Sequence, residues 1–203
     1  MNYTRRFILG HVAAIPAVAL ATDADGTPRH DIHPLREAPG PSASHFPNVP
    51  VVASTGKEYL WYDDVVRGAR VAINFFSFEN DEKHAVTDHL LRAHRLAAAE
   101  GIDGVTMISV AIDAAPLNML AKYVSSKNID DRWLFLTGTP ANIELIRSFL
   151  FVRDTRSHRT PVHGHGQSHT LTVARYGNES LARWASYPLR CSPESIVRRY
   201  AWI

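Results

Sequence analysis

The sequence predicts an α/β fold: a central mixed sheet, largely parallel, flanked by helices and preceded by an N-terminal β-hairpin. Segments 70–76 and 105–112 are continuous apolar runs, which is typical of strands buried on both faces of a sheet. Between them, apolar residues recur at helical spacing over 86–97. These three segments form a strand–helix–strand unit, around which the rest of the fold is expected to assemble.

Turn residues and apolar runs predict the elements around this unit. They are hairpin strands at 49–53 and 58–62, helices at 116–127, 140–150 and 193–200, a strand at 133–137, and closing hairpin strands at 170–176 and 180–184. Gly56 and the Gly177-Asn178 pair supply the turn chemistry of the two hairpins. Asn80 or Asp81 is expected to cap the helix after the first core strand, which places residue 84 in its first turn.

The first 21 residues have the pattern of a signal peptide. Arg5 and Arg6 precede an apolar stretch that ends on Ala19-Leu20-Ala21, the small-x-small pattern of a cleavage site. The segment 4–9 also resembles the twin-arginine export motif, so the twin-arginine and general secretory routes both stay open. The apolar stretch is shorter than the ~20 residues that span a bilayer. The sequence therefore predicts an exported chain, periplasmic or otherwise extracytoplasmic, with no membrane span in its mature form.

Composition predicts two parts in the mature chain, a linker and a folded domain. Residues 22–45 are rich in Pro, Gly, Ala, Ser and Asp and lack an apolar period, which predicts a flexible linker before a folded domain at 46–203. The formal net charge is +2, and loss of the two signal-peptide arginines leaves the mature chain near neutrality. A neutral chain without a Lys/Arg cluster offers no electrostatic basis for binding nucleic acid or an anionic membrane.

Cysteine usage excludes one class of chemistry. The 203 residues include eleven histidines and a single cysteine, Cys191, so no thiol pair exists within the chain. A thiol reductase or peroxiredoxin needs a nucleophilic cysteine at the strand-to-helix turn, where this sequence has Asn80. Cys191 is expected to open the final helix, and it can pair between chains in a dimer. No Ser/His/Asp or paired-carboxylate arrangement predicts a hydrolase, so we expect a protein that is not an enzyme.

Several short segments, in order along the chain, resemble the Sco/SenC family. They are Phe46-Pro47-Asn48-Val49-Pro50, Tyr62-Asp63-Asp64, Val71-Ala72-Ile73-Asn74-Phe75-Phe76, Ile112-Asp113, Trp133-Leu134-Phe135-Leu136-Thr137-Gly138 and Ile143-Glu144-Leu145. Members of that family are thioredoxin-fold proteins, exported or membrane-tethered, that handle copper during assembly of respiratory copper enzymes such as cytochrome c oxidase. The resemblance, over about 46–184, implies a thioredoxin-like fold and a copper-handling role, with an extracytoplasmic copper enzyme or a Sco-like paralogue as partner.

The family's copper site combines a Cys-x-x-x-Cys turn with a histidine just before a late strand. On that pattern, Asn80 and His84 stand at the two cysteine positions, Ala85 replaces the proline that follows, and His169 matches the histidine. Thiolates favour Cu(I), whereas imidazole, carboxylate and amide oxygen suit Cu(II), Ni(II) or Zn(II). The resemblance therefore implies a site that has lost its redox step and prefers Cu(II), with zinc as the alternative.

A histidine-rich run strengthens the metal hypothesis. His163, His165 and His169 lie within seven residues and are separated by glycines that let the backbone bring them together. Together with His84, and with Glu82 or Asp81 as a carboxylate, a subset of them has the ligand count for Cu(II) or Zn(II). Alternatively, these histidines point separately into solvent, and the domain is a metal-free module that docks on a client or paralogue.

The predicted helix bears on the ligand roles of its histidines in two ways. If His84 lies in the first turn, the helix dipole disfavours a cation beside it, although a neutral imidazole remains a competent ligand. His89 and His94 each follow the preceding histidine by five residues, which rotates them off a common face. We therefore expect both at the surface, without a ligand role.

Overall fold

The computed structural model describes residues 40–102, 104–113, 116–151 and 170–203, which fall in a compact unit spanning Pro39–Ile203. The strands are β1 (Pro50–Ala53), β2 (Glu58–Leu60), β3 (Arg70–Phe76), β4 (Val105–Ala111), β5 (Trp133–Thr137), β6 (Val173–Asn178) and β7 (Arg183–Pro188). The helices are α1 (Phe78–His84), α2 (Val86–Ala99), α3 (Leu117–Ser126), α4 (Pro140–Phe151) and α5 (Pro193–Tyr200), with a π-helical turn at Trp61–Val66 and a 3-10 turn at Glu179–Leu181. The predicted signal peptide and the run of His163, His165 and His169 lie outside the described residues.

The seven strands of the described residues form one mixed sheet in the order β2-β1-β5-β4-β3-β6-β7. At its centre β3 is parallel to β4, and β4 is parallel to β5. The flanking pairs β1–β5 and β3–β6 are antiparallel, and the hairpins β1–β2 and β6–β7 close the two edges. The predicted α/β fold, with its mixed sheet and N-terminal hairpin, is confirmed.

Burial on both faces explains the continuous apolar runs. Along β3, Ala72 and Phe76 pack into a core with α2, α3 and α5, whereas Ile73 and Phe75 pack into a second core that includes Trp61. Ile73 is 0% exposed and Phe75 1% exposed. A strand with a hydrophobic core on each side has no solvent face, so its sequence does not alternate. None of the helices in the described part of the chain combines the length and hydrophobicity needed to cross a bilayer.

The closing hairpin differs from the prediction. Gly177 and Asn178 lie inside β6 rather than in the turn, and Gly177 pairs with Trp184 of β7. A Cβ at position 177 would collide with the carbonyl oxygen of Arg183 and with the Trp184 ring. The glycine therefore permits a close strand–strand approach, and the 3-10 turn at Glu179–Leu181 makes the reversal.

The folded domain begins before the predicted boundary at residue 46. Ser42 is 4% exposed, and its backbone N–H donates to the Glu179 carboxylate at 2.9 Å. The Trp184 indole N–H donates to the Ser42 hydroxyl at 3.3 Å. A Cβ at Gly40 would collide with the Tyr62 hydroxyl and the Glu179 carboxylate. The assignment of 40–45 to a flexible linker was wrong, because polar contacts hold this segment and leave no apolar period to detect.

Candidate functional site

Two hydrogen bonds and one ring contact hold the turn from β3 into α1. The Ser77 hydroxyl caps α1 and accepts from the Asn80 backbone N–H at 3.4 Å. The Phe78 backbone N–H donates to the Asp113 carboxylate, just beyond β4, at 2.8 Å. The Phe78 ring packs edge-on against Phe76 with ring centroids 4.9 Å apart. The segment that carries the family's metal positions is therefore fixed to the central sheet.

The helix after β3 is broken into two pieces, and the break changes the setting of His84. The short helix α1 ends at His84, Ala85 adopts a left-handed conformation with φ 47° and ψ 43°, and α2 begins at Val86. The expectation that residue 84 lies in a first helical turn is wrong: it is the last residue of α1, where the helix dipole favours cations. A proline ring fixes φ near −65°, so the family's proline does not fit the backbone at Ala85.

Asp81 holds the two helices together from inside. It is 6% exposed, and its carboxylate accepts from the Thr87 backbone N–H of α2 at 2.6 Å and from the Tyr123 hydroxyl of α3. Burial and this hydrogen bond raise the pKa of Tyr123 well above its ordinary range. Because Asp81 is buried and each of its oxygens accepts a hydrogen bond within the protein, its contacts indicate a structural role and not a metal-ligand role.

His84 is exposed, and one of its ring nitrogens is already engaged. Arg190 donates to His84 Nδ1 across 3.3 Å, which leaves the proton of a neutral imidazole on Nε2. A metal at Nδ1 has to displace Arg190, whereas a metal at Nε2 requires the proton to move to Nδ1. Glu82 is exposed as well, but residues two apart on a helix do not face each other. The described residues contain no group of three His, Cys, Asp or Glu side chains that could hold a metal.

A cleft of about 660 Å³ opens between α1 and α4 beside His84. We call it the α1–α4 cleft, and its walls include Asn80, His84, Asp113, Glu144, Arg147 and Thr170. Arg147 pairs with Glu144 in α4 and holds the pKa of that carboxyl below its usual range. Thr170 is bonded to His169, which itself lies outside the described residues along with His163 and His165. The structure therefore brings His84 into the same cleft as the residue next to His169.

His94 is buried, contrary to the expectation of a surface position. It is 6% exposed, its Nε2 lies 2.9 Å from the Asp130 carboxylate, and its ring lies 5.9 Å from that of Trp133. The five-residue spacing of the three helix histidines did not indicate that His94 is buried. The signal that reveals it is that His94 follows Leu90 by four residues and so shares its buried helix face.

His89 and Cys191 contact each other through a ring nitrogen and a backbone oxygen. His89 Nε2 donates to the Cys191 carbonyl at 2.8 Å, which joins α2 to the residues before α5. Cys191 is a half-buried free thiol. It precedes the residue that caps α5, Ser192, whose hydroxyl accepts from the Ser195 backbone N–H at 3.3 Å. With one cysteine in the sequence, the chain has no thiol pair for redox chemistry.

The sheet order and the flanking helices define a thioredoxin-like fold, and solved Sco structures share it. A Sco1/SenC family lipoprotein from Bacillus anthracis matches with a TM-score of 0.58 at 16% identity, covering 77% of this chain and 93% of the lipoprotein. Yeast Sco1 with copper bound matches with a TM-score of 0.55 at 14% identity, covering 75% of this chain and 87% of its own. Arabidopsis thaliana ScoI with copper bound matches with a TM-score of 0.53 at 14% identity, covering 77% of this chain and 99% of its own.

These identities are low, so the similarity is one of fold. No known family model matches the sequence, and no curated protein matches it. The chain is thus a thioredoxin-like protein of Sco-like architecture with a single cysteine.

Proposed function

We propose that this chain is an exported, Sco/SenC-like metal-handling protein that binds copper as Cu(II) without thiol–disulfide chemistry. Its place of action is the periplasm or another extracytoplasmic compartment, consistent with the export signal predicted at residues 1–21. Its task is to deliver or buffer copper, as cargo, during assembly of an extracytoplasmic copper enzyme such as cytochrome c oxidase. The chain itself is not an enzyme.

The observation that carries this proposal is that a predicted ligand and the sequence neighbour of another predicted ligand both line the α1–α4 cleft. His84 lines the cleft, and so does Thr170, the residue bonded to His169. Consecutive Cα atoms are 3.8 Å apart. His169 directly precedes Thr170, which lines the cleft together with His84. This shared wall supports a site in which the two imidazole ligands predicted from the sequence, His84 and His169, act together.

The donor set determines which metal the site prefers. Imidazole nitrogens from His84 and His169, with contributions from His163, His165 or the Glu82 carboxylate, make a harder site than two thiolates and one imidazole. Such donors suit Cu(II), and Zn(II) is the alternative cargo. The position of His84 at the C-terminal end of α1 supports cation binding through the helix dipole. Arg190 opposes it, since its guanidinium occupies Nδ1 and carries a like charge.

Cu(II) titration of the untagged full chain against a competing chelator tests the proposal. We expect one Cu(II) per chain, and a roughly tenfold or larger loss of affinity in His84→Ala and in His169→Ala, because each removes an imidazole donor. The matched control is His45→Ala, since His45 is exposed and lies outside the α1–α4 cleft. Unchanged affinity in the double variant His84→Ala/His169→Ala would contradict the site assignment.

A second candidate function is a metal-free module that docks on a client or on a cysteine-bearing Sco-like paralogue. It is favoured by the engagement of His84 with Arg190 and by the inward turn of Asp81. Under this alternative, chelator-treated protein binds its partner tightly and the two histidine substitutions leave that binding unchanged. Stoichiometric Cu(II) uptake that depends on both histidines would exclude it.

A further inference from the structure

A second cleft, of about 590 Å³, is lined by the last residues of α4 and shares no lining residue with the α1–α4 cleft. We call it the Arg175 cleft. It is formed by the segment before β1, the end of α4 and the β6–β7 hairpin, and its walls include His45, Phe46, Phe149, Leu150, Arg175 and Trp184. Its volume falls within the roughly 300–1,000 Å³ that small-molecule sites occupy.

Arg175 is a cation without an anion in the described part of the chain. It is half-buried on β6, its Nε is buried without a hydrogen-bond partner, and its Nη1 donates to the Ser186 hydroxyl at 3.0 Å. Burial lowers the pKa of Arg175, and no carboxylate among the described residues offsets the effect. By contrast, Arg147 in α4 lies against Glu144. A partly buried guanidinium without a carboxylate partner among the described residues favours an anionic ligand.

Three aromatic side chains, Phe46, Phe149 and Trp184, also line the Arg175 cleft. The rings of Phe46 and Trp184 lie 4.9 Å apart, tilted by 48°, and the Trp184 indole N–H is already satisfied by the Ser42 hydroxyl. Phe149, from α4, is 52% exposed although it is a large apolar side chain. These groups place apolar surface beside the Arg175 guanidinium.

We infer that the Arg175 cleft binds a small aromatic carboxylate, with the carboxylate at the Arg175 guanidinium and the ring between Trp184 and Phe149. The planar guanidinium fork matches a carboxylate in two parallel hydrogen bonds. Aromatic walls bury a flat apolar body without requiring further polar partners. This site is separate from the proposed copper-handling site, and it needs neither a metal nor a thiol.

Calorimetric titration of the full chain with 2-naphthoate, beside the neutral isostere 2-naphthamide, tests the inference. We expect saturable binding of 2-naphthoate and at least roughly tenfold weaker binding of the amide, since the charged hydrogen bonds are lost. Arg175→Gln is expected to weaken 2-naphthoate binding by a similar factor. The same variant is expected to keep or raise the melting temperature, because it removes a half-buried cation that has no carboxylate partner among the described residues. The matched control is Arg183→Gln, an exposed arginine on β7 that lies over the Trp202 ring.

A second variant separates the apolar wall from the charge. Phe149→Ala is expected to weaken 2-naphthoate and 2-naphthamide by the same factor, since both ligands present the same ring. The inference is overturned if the acid and the amide bind equally to the wild-type chain, or if neither binds. It is also overturned if Arg175→Gln keeps full affinity while Arg183→Gln loses it.

Discussion

Replacing Glu179 with glutamine is expected to lower the free energy of unfolding by about 3 kcal/mol. Glu179 is 1% exposed, and its carboxylate accepts from the Ser42 N–H at 2.9 Å, the Gly68 N–H at 2.8 Å and the Tyr62 hydroxyl at 2.8 Å. A glutamine keeps one oxygen but turns an NH₂ group toward a donor. One buried donor is then left without an acceptor. Urea unfolding at neutral pH, followed by tryptophan fluorescence, measures the loss.

The matched control is Glu58→Gln, since Glu58 is exposed on β2. We expect a change within about 0.5 kcal/mol for this surface substitution. Equal stability of Glu179→Gln and Glu58→Gln would show that the segment at 40–45 does not depend on the buried carboxylate. It would thereby contradict the early domain boundary described above.

The effect of Glu179 on stability is expected to depend on pH. Burial alone would raise the pKa of Glu179, but hydrogen bonds from the Gly68 and Ser42 N–H groups and from Tyr62 outweigh it, and the pKa lies below its ordinary value of 4.5. The folded state therefore binds this proton less tightly than the unfolded chain, so the stabilisation is fully present above pH 4.5 and is lost as the pH falls through the folded-state pKa. The stability difference between wild type and Glu179→Gln should shrink over that acid range.

At alkaline pH, stability is expected to depend on Tyr62, whose hydroxyl donates to the Glu179 carboxylate. Burial, together with the Glu179 carboxylate, raises the pKa of Tyr62 to about 12 from its ordinary 10.0. Stabilisation from the neutral phenol is therefore present below pH 10 and is lost as the pH rises toward the folded-state pKa. Tyr62→Phe should remove this alkaline dependence, which a series of unfolding curves across that range measures.

Replacing Asp81 with alanine is expected to cost a similar amount, about 3 kcal/mol. The change leaves the Thr87 N–H without its acceptor, although Thr87 is 2% exposed. It also deprives the Tyr123 hydroxyl of its carboxylate partner beneath α1. Asp81→Asn, which retains one acceptor oxygen, should lose less. Denaturant unfolding ranks the two variants.

The control for Asp81 is its neighbour Glu82, which is exposed on the same helix. Glu82→Ala should change stability by no more than about 0.5 kcal/mol. Hydrogen exchange should also show faster opening of residues 78–87 in Asp81→Ala than in Glu82→Ala, because Asp81 joins the two helices. Identical exchange in the two variants would contradict the role of Asp81 as an internal cap.

Local patterns predicted the strands and helices because burial leaves its mark on the sequence, as a helical period in α2 and as continuous apolar runs in the central strands. The continuous apolar runs of β3 and β4 and the turn at Gly56 reveal the sheet and its first hairpin directly. The break at Ala85 leaves no such record, since a left-handed alanine between two helices depends on the Asp81 carboxylate capping the second helix. The position of His84 within its helix was therefore mispredicted.

Long-range polar contacts account for most of the remaining differences. Ser42 and Glu179 are 137 positions apart, and a single carboxylate in a turn carries no sign of the segment it will bind. His94 is paired with Asp130, 36 positions further along, so its burial appears only from the helix face it shares with Leu90. The setting of Arg175, which has no carboxylate partner among the described residues, emerges only when both strands of the closing hairpin are in place. Such features depend on tertiary packing and not on periodicity.

We propose a copper site of nitrogen and oxygen donors in a thioredoxin-like chain that has no thiol pair. The most direct test is electron paramagnetic resonance of the untagged full chain loaded with one equivalent of Cu(II), beside the double variant His84→Ala/His169→Ala. We predict a tetragonal Cu(II) spectrum with hyperfine coupling to imidazole nitrogen in the wild type, and loss of that spectrum in the double variant. An identical copper spectrum in the two proteins, or no stoichiometric Cu(II) uptake by the wild type, would contradict the claim.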